Sequence, residues 1–264
     1  MSASNGQFEF GDVVGDAFRI MRDDWQGVLL LSLLLVALPN LAFLLSIVGL
    51  LVPDPDAILG EDTSWAAIAG AGSATGIILL LASFVLYPAA IMHLGVMRLA
   101  GKPVPWTVSL KAAMSRILPL VGVCLLAFLG MALGTMLLIV PGVILYCGWF
   151  VFLGPAMLED RGPTEALGRS WELTTGYKWW MLLVIIVSSI IGGVAAAIFE
   201  VPFTLATESM TTPLGTSLIL PSALSSIGTA ISYAVAGTFA ASTFTQLRTL
   251  QGGIDQSAIA DVFS

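Results

Sequence analysis

The ten lysine and arginine residues of this chain fall in four short clusters separated by long stretches that hold no basic side chain. The clusters are Arg19 and Arg22; Arg98, Lys102, Lys111 and Arg116; Arg161, Arg169 and Lys178; and Arg248. Between them lie residues 25–53, 63–97, 117–158 and 179–247, and His93, the single histidine, is the only titratable nitrogen inside them. A helix crosses the hydrocarbon core of a bilayer with about 20 apolar residues. The stretches therefore accommodate six spans, near 27–52, 72–98, 118–140, 143–158, 180–200 and 218–246. The expected fold class is all-α, a polytopic membrane protein of about six transmembrane helices.

With six spans, every basic cluster lies on one side of the membrane and the opposite loops carry only the acids Asp54, Asp56, Glu61, Asp62, Glu200 and Glu208. Short loops rich in Lys and Arg resist translocation, so the basic side, with both termini, is expected to be cytoplasmic, in the bacterial cytoplasmic (inner) membrane. A composition of 57% hydrophobic and 10% charged residues excludes an ordinary soluble domain, where about 25% charge is usual. The formal charge of -7 comes mostly from the six acids of the opposite loops. No basic stripe exists to bind nucleic acid. The opening MSASNGQFEFGD is acidic where a signal peptide is basic, and the first apolar run is too long for its hydrophobic region. Span one is therefore expected to stay as an anchor.

The segments between spans are patterned as amphipathic helices. In 11–25, Asp12, Asp16, Arg19 and Asp23 make one polar stripe, and Val13, Val14, Ala17, Phe18, Met21 and Trp25 cover the other side. In 105–117, Trp106, Leu110, Ala113 and Ile117 lie opposite Thr107, Lys111 and Ser115, behind a Pro105 suited to a first helical turn. In 163–175, Glu165, Arg169 and Glu172 form the polar stripe while Ala166, Leu167, Leu173 and Trp171 face away, and Gly176 is placed to end the helix. All three are expected to lie in the interface on the cytoplasmic side. Each precedes two spans, so the single integral membrane domain, 1–264, reads as three units, about 11–100, 105–160 and 163–250. A shift of 153 residues places Asp12, Asp16 and Arg19 over Glu165, Arg169 and Glu172, and Phe18 over Trp171. The third stripe reads either as plain interfacial packing or as a contact face formed by Glu165, Arg169, Trp171 and Glu172.

No Asp, Glu, Lys or Arg falls near the middle of a span, which counts against proton- or ion-coupled transport. Cys124 and Cys147 sit at membrane depth and read as small apolar side chains, and with no clustered ligands no metal, cofactor or catalytic site is expected. His93 reads as an interfacial or packed histidine, and a lone histidine leaves Ser-His-Asp chemistry without its parts. Pro39, Pro88 and Pro155 are expected to interrupt spans one, two and four. Gly72 with Gly76, Gly130 with Gly134, Gly192 with Ala196 and Gly237 with Ala241 have the spacing of close helix contacts, within one chain or between two. Pro141-Gly142 is expected to turn the chain after span three, leaving a short tilted fourth span or a re-entrant hairpin.

The run from Leu138 to Trp179 carries Pro141-Gly142, an apolar segment ending at Glu159, then Glu165-Ala166-Leu167, Arg169 through Thr174, and Gly176. It resembles the membrane domain attached to some bacterial glycerophosphoryl diester phosphodiesterases and that domain's free-standing relatives. Phe10-Gly11-Asp12-Val13 through Phe18-Arg19, and more weakly Leu247-Arg248 with Gly252 through Asp255, are similar to its two ends. The resemblance implies a multi-helical membrane domain in which Pro141, Gly142, Glu159 and Gly176 are structural, and it brings no catalytic residues. Diesterase activity belongs to a separate soluble barrel that uses histidine and metal-binding carboxylates. This chain has one histidine and no room for that barrel, so it is not expected to hydrolyse glycerophosphodiesters.

The leading functional expectation is a non-enzymatic membrane protein that organises lipid or assists an envelope partner, with membrane lipids, another membrane protein or a second copy as its contacts. The alternative is a permease or lipid-handling transporter for an apolar or neutral substrate, with a pathway between the kinked spans. A polar cavity lined by Asn40, Ser83, Tyr87 and Tyr146 would favour that alternative.

Overall fold

In lipid every backbone N–H and C=O must be satisfied within its own segment, so long apolar runs become helices. A computed structural model describes residues 8–51, 65–208 and 214–252, and side-chain surroundings within 8–44, 76–201 and 223–251. Its elements are α1 Phe10–Asp23, α2 Trp25–Ser32, a π-helical turn Leu33–Ala37, α3 Leu38–Leu51, α4 Trp65–Leu99, α5 Trp106–Ser115 and α6 Ile117–Leu137. They continue as α7 Ile139–Gly148, α8 Leu153–Leu158, α9 Pro163–Thr174, α10 Lys178–Glu208 and α11 Leu214–Gly252. Among the described residues there is no strand. Six stretches are long and apolar enough to cross a membrane: Trp25–Leu44, Gly76–Leu99, Ile117–Leu137, Ile139–Leu158, Lys178–Val201 and Ala223–Gln251. The protein is an all-α, multi-pass membrane protein. The acids at 54, 56, 61 and 62 lie outside the described residues, as does the segment from Gly253 onward.

α11 is the centre of the bundle, packing against α10, α4, α1 and the whole of span one. Small residues let these backbones approach. A Cβ on Gly192 would lie 3.1 Å from Ser232 Cα, one on Gly237 2.6 Å from Ile91, and one on Gly95 2.6 Å from Ala241. The spacing signals at Gly76, Gly130, Gly134, Gly192, Gly237 and Ala241 thus mark contacts within the chain; the side-chain surroundings of Gly72 lie outside the described residues. Outward-facing Leu118, Leu125, Phe128, Leu133 and Met136 of α6 have no protein neighbour to hide them, as lipid-facing side chains require.

The fourth span runs back along the whole length of α6 and is long and apolar enough to cross, rather than folding back as a re-entrant hairpin. α7 and α8 return alongside α6 from one end to the other: Gly134 faces Gly142, Gly130 faces Trp149, and at the far end Arg116 pairs with Asp160. The turn before it is not made by Pro141-Gly142. Leu138 alone is extended (φ -162, ψ 145), while Pro141 and Gly142 sit in the first turn of α7, where a missing N–H leaves no bond unmade. Gly142 instead allows α7 to lie against Thr135. Pro155 likewise falls in the first turn of α8, after a break at residues 149–152, so it does not kink a continuous helix. Pro88 does lie inside α4, and Pro39 follows the π-helical turn by two residues.

Three amphipathic helices form where the sequence pattern places them, as α1, α5 and α9, but two faces differ from expectation. On α1 the buried residues are Val13, Ala17 and Ile20, while Phe18 and Trp25 are exposed. The helix has docked on the bundle as well as lain at its edge: Ser242 donates to the Val13 carbonyl at 2.8 Å and Gln246 to that of Glu9 at 2.9 Å. Partial burial raises the Asp16 carboxyl above its ordinary range, offset in part by Arg19. α5 stops at Ser115 because Arg116 leaves helical geometry, so Ile117 opens the next span and the buried stripe is Ser109 and Ala113. Ser109 exchanges a hydrogen bond with His93 Nδ1 at 3.0 Å, so the lone histidine docks α5 on α4.

Candidate functional site

The end of the bundle that collects the basic side chains is held by a small set of ion pairs, and the densest surrounds Glu159. The residue follows the last turn of α8, and Asp160 next to it adopts positive φ (52°) to turn the chain toward α9. The Glu159 side chain is 12% exposed and meets three guanidinium groups. Arg161 Nε donates to Oε2 at 3.0 Å, Arg169 Nε lies 3.5 Å from the same oxygen, and Arg248 Nε approaches Oε1 at 3.7 Å. Residues from a loop, from α9 and from α11 thus converge on one carboxylate. Arg169 also donates through Nη1 to Glu172 at 3.3 Å, but its Nε is buried with no hydrogen-bond acceptor.

Of the four residues expected to form a contact face on α9, Glu165, Arg169 and Glu172 keep one polar stripe, within which Arg169 pairs with Glu172, and Trp171 projects elsewhere. Glu165 is exposed and accepts a hydrogen bond from the Gly162 N–H at 3.4 Å, an N-terminal cap for the helix. Arg169 turns inward to Glu159, and Glu172 remains open to solvent. Trp171 lies on the other side, close against Gly148, where a Cβ would come within 2.5 Å of its ring. Lys178 Nζ covers that ring, 3.3 Å from its centroid, a cation–π contact of about 0.5–2 kcal/mol. The helix ends as its sequence indicates, with Gly176 at φ 87°.

Hydroxyls on α9 complete the break in span four. The Gly148 carbonyl, at the end of α7, accepts from Ser170 Oγ and Thr174 Oγ1, each at 3.0 Å. Helix ends leave carbonyls without partners, and both hydroxyls are buried. Ser170→Ala combined with Thr174→Val is expected to orphan this carbonyl and cost about 1–3 kcal/mol, read as a lowered unfolding midpoint in detergent. Either single change should cost less than half as much, because the other hydroxyl remains. Gln251 fastens the far end of α9, donating to the carbonyls of Glu172 at 2.9 Å and Leu173 at 3.1 Å.

A second place of interest lies within the membrane, where the π-helical turn and Pro39 loosen span one. A cavity of about 50 Å³ is lined by Pro39, Asn40, Ser83, Phe84, Thr229 and Tyr233, among others, room for a few water molecules. Of the four residues expected around such a cavity, Asn40 and Ser83 line it, and Ser83 already donates to the Leu79 carbonyl at 2.7 Å. Tyr87 packs edge-on against Tyr233 with its hydroxyl buried and unpartnered, and Tyr146 lies elsewhere on α7. Cys124 and Cys147 are free thiols. Among the described residues no three His, Cys, Asp or Glu side chains gather closely enough to hold a metal ion.

A family model described as Domain of unknown function (DUF7847) matches residues 14–247. The chain belongs to this family. The DUF7847 match runs from α1 to the last turns of α11 and takes in Glu159, Arg161, Arg169 and the cavity, ending one residue before Arg248. Nothing in the DUF7847 match connects the chain to the diesterase membrane domain that Leu138–Trp179 resembles. No curated protein and no solved structure matches the chain.

Sequence reasoning missed the convergence on Glu159. The signal was present in Arg248, the one basic residue after the last long apolar stretch. Ser170, Thr174 and Gln251 carried no comparable mark, since their partners are backbone carbonyls distant in sequence.

Proposed function

We propose that the protein is a non-enzymatic organiser of the cytoplasmic membrane, acting on lipid or steadying an envelope partner, with both termini in the cytoplasm. The observation that carries this reading is the docking of three amphipathic helices at the one end of the bundle where all ten basic residues lie. Apolar and aromatic side chains remain open there, with Trp179 83% exposed and Trp25 59%, as at a membrane–water boundary. The resemblance of Leu138–Trp179 to a diesterase membrane domain supports the same reading, that of a membrane platform.

The test is reconstitution of the full chain into vesicles carrying a polarity-sensitive lipid dye. The expected result is a change in lipid packing that grows with protein density and is absent for an unrelated six-span protein. Unchanged packing, or cell-surface labelling of a Glu172→Cys variant in intact cells, would overturn the reading. A transporter reading rests on the cavity beside Asn40. It predicts uptake of a neutral solute by the same vesicles, which Asn40→Leu would abolish.

A further inference from the structure

Glu159 supplies about four lone-pair positions to three guanidinium groups that together carry about fifteen N–H donors. Only Arg161 makes a hydrogen bond to it; Arg169 and Arg248 stand off at 3.5 and 3.7 Å. The buried Nε of Arg169 makes no hydrogen bond, its carboxylate partner standing 3.5 Å away. Counting Glu172, which Arg169 also reaches, three cations face two carboxylates, so one positive charge is left over. Leaving charged donors unsatisfied is costly, and a tetrahedral oxyanion offers guanidinium forks the several acceptors that one carboxylate lacks.

The height of the cluster indicates the source of that oxyanion. Glu159 follows the end of the fourth span, Arg248 lies in the closing turns of the sixth, and the exposed Trp179 and Trp180 stand at the start of the fifth. Tryptophan at such positions marks the headgroup level, and basic pockets between helices at that level take lipid phosphates. Arg169 and Arg248 are each 23% exposed, buried enough to be fixed and open enough to be reached.

We infer that Arg161, Arg169 and Arg248 form a binding site for the phosphate of an anionic membrane lipid, an inference that rests on the lipid-organising reading and gives it a ligand class. The phosphate oxygens meet the solvent-reachable parts of the Arg161, Arg169 and Arg248 side chains, and Glu159 keeps the three side chains from repelling one another when the site is empty.

The experiment follows unfolding of the full chain in neutral detergent as phosphatidylglycerol, phosphatidylcholine or inorganic phosphate is added. Phosphatidylglycerol should raise the midpoint saturably, with phosphatidylcholine and inorganic phosphate far weaker. Arg161→Gln and Arg248→Gln should each weaken the apparent affinity about tenfold, the equivalent of one charge-assisted hydrogen bond. The Arg161 side chain is 43% exposed, so its replacement should leave the lipid-free midpoint close to the original. Arg22→Gln removes the same charge from a side chain on α1 that is 80% exposed and pairs with Asp23, not with Glu159, and should leave the affinity unchanged. An equal loss in Arg22→Gln would reduce the effect to general surface attraction and overturn the site. Equal stabilisation by inorganic phosphate would assign it to a free anion, and no stabilisation by phosphatidylglycerol would remove it. Protein that binds phosphatidylglycerol through these arginines yet leaves vesicle packing unchanged would fail the functional reading alone. The reverse result would fail this site alone.

Discussion

Glu159→Ala is expected to lower the stability of the solubilised protein by about 2–4 kcal/mol, among the largest losses for any single truncation. Breaking a buried ion pair leaves the surviving charge desolvated and unneutralised, and here one deletion strands two guanidinium groups and weakens a third. The surviving Arg169 and Arg248 side chains are each 23% exposed, so water solvates them only in part, whereas Arg161 at 43% is better screened. Glu159→Gln should lose less, because the amide oxygen still accepts from Arg161. Unfolding in a graded denaturing detergent measures both. A loss below about 0.5 kcal/mol would mean the arginines are hydrated as freely as an ordinary surface pair.

The second large effect is expected at Gly142, where the obstacle is backbone. A Cβ there would lie 2.9 Å from both the Cα and the nitrogen of Thr135 on α6. No rotamer change relieves that contact, so α6 and α7 must move apart along the hairpin. Gly142→Ala is expected to cost about 2–3 kcal/mol, at the upper part of the range for overpacking. Gly193→Ala is the matched control, since a Cβ there meets nothing within 4 Å. Filling that helical glycine should be neutral or stabilising by about 0.5–1 kcal/mol. Equal outcomes at the two positions would mean that the α6–α7 approach does not decide the effect of the added methyl group.

The architecture was legible because the constraint that produces it is one-dimensional. A span must be apolar over a fixed length, and charge must collect between spans, so the positions of ten basic residues delimit six helices. The amphipathic segments were legible for a similar reason, a local period. What stayed hidden depends on contacts between elements. The face α1 buries is selected by α11, whose Ser242 and Gln246 reach the backbone of α1, so Ile20 goes inside and Phe18 does not. Arg169 and Trp171, grouped by sequence as one surface, are only two residues apart and project to different sides of a helix. One meets Glu159 and the other Gly148. The turn at Leu138 escaped notice because its neighbours, Pro141 and Gly142, are the stronger turn formers in isolation.

α11, at 39 residues, is about 58 Å long at helical rise, nearly twice the thickness of a hydrocarbon core. Such a rod answers a thinner or thicker bilayer by leaning rather than by stretching. Its basic-end segment is tied to α1 through Ser242 and Gln246 and to α9 through Gln251, so any lean drags both surface helices with it. The orientation of the central helix and the placement of these two surface helices are therefore one structural variable, not three.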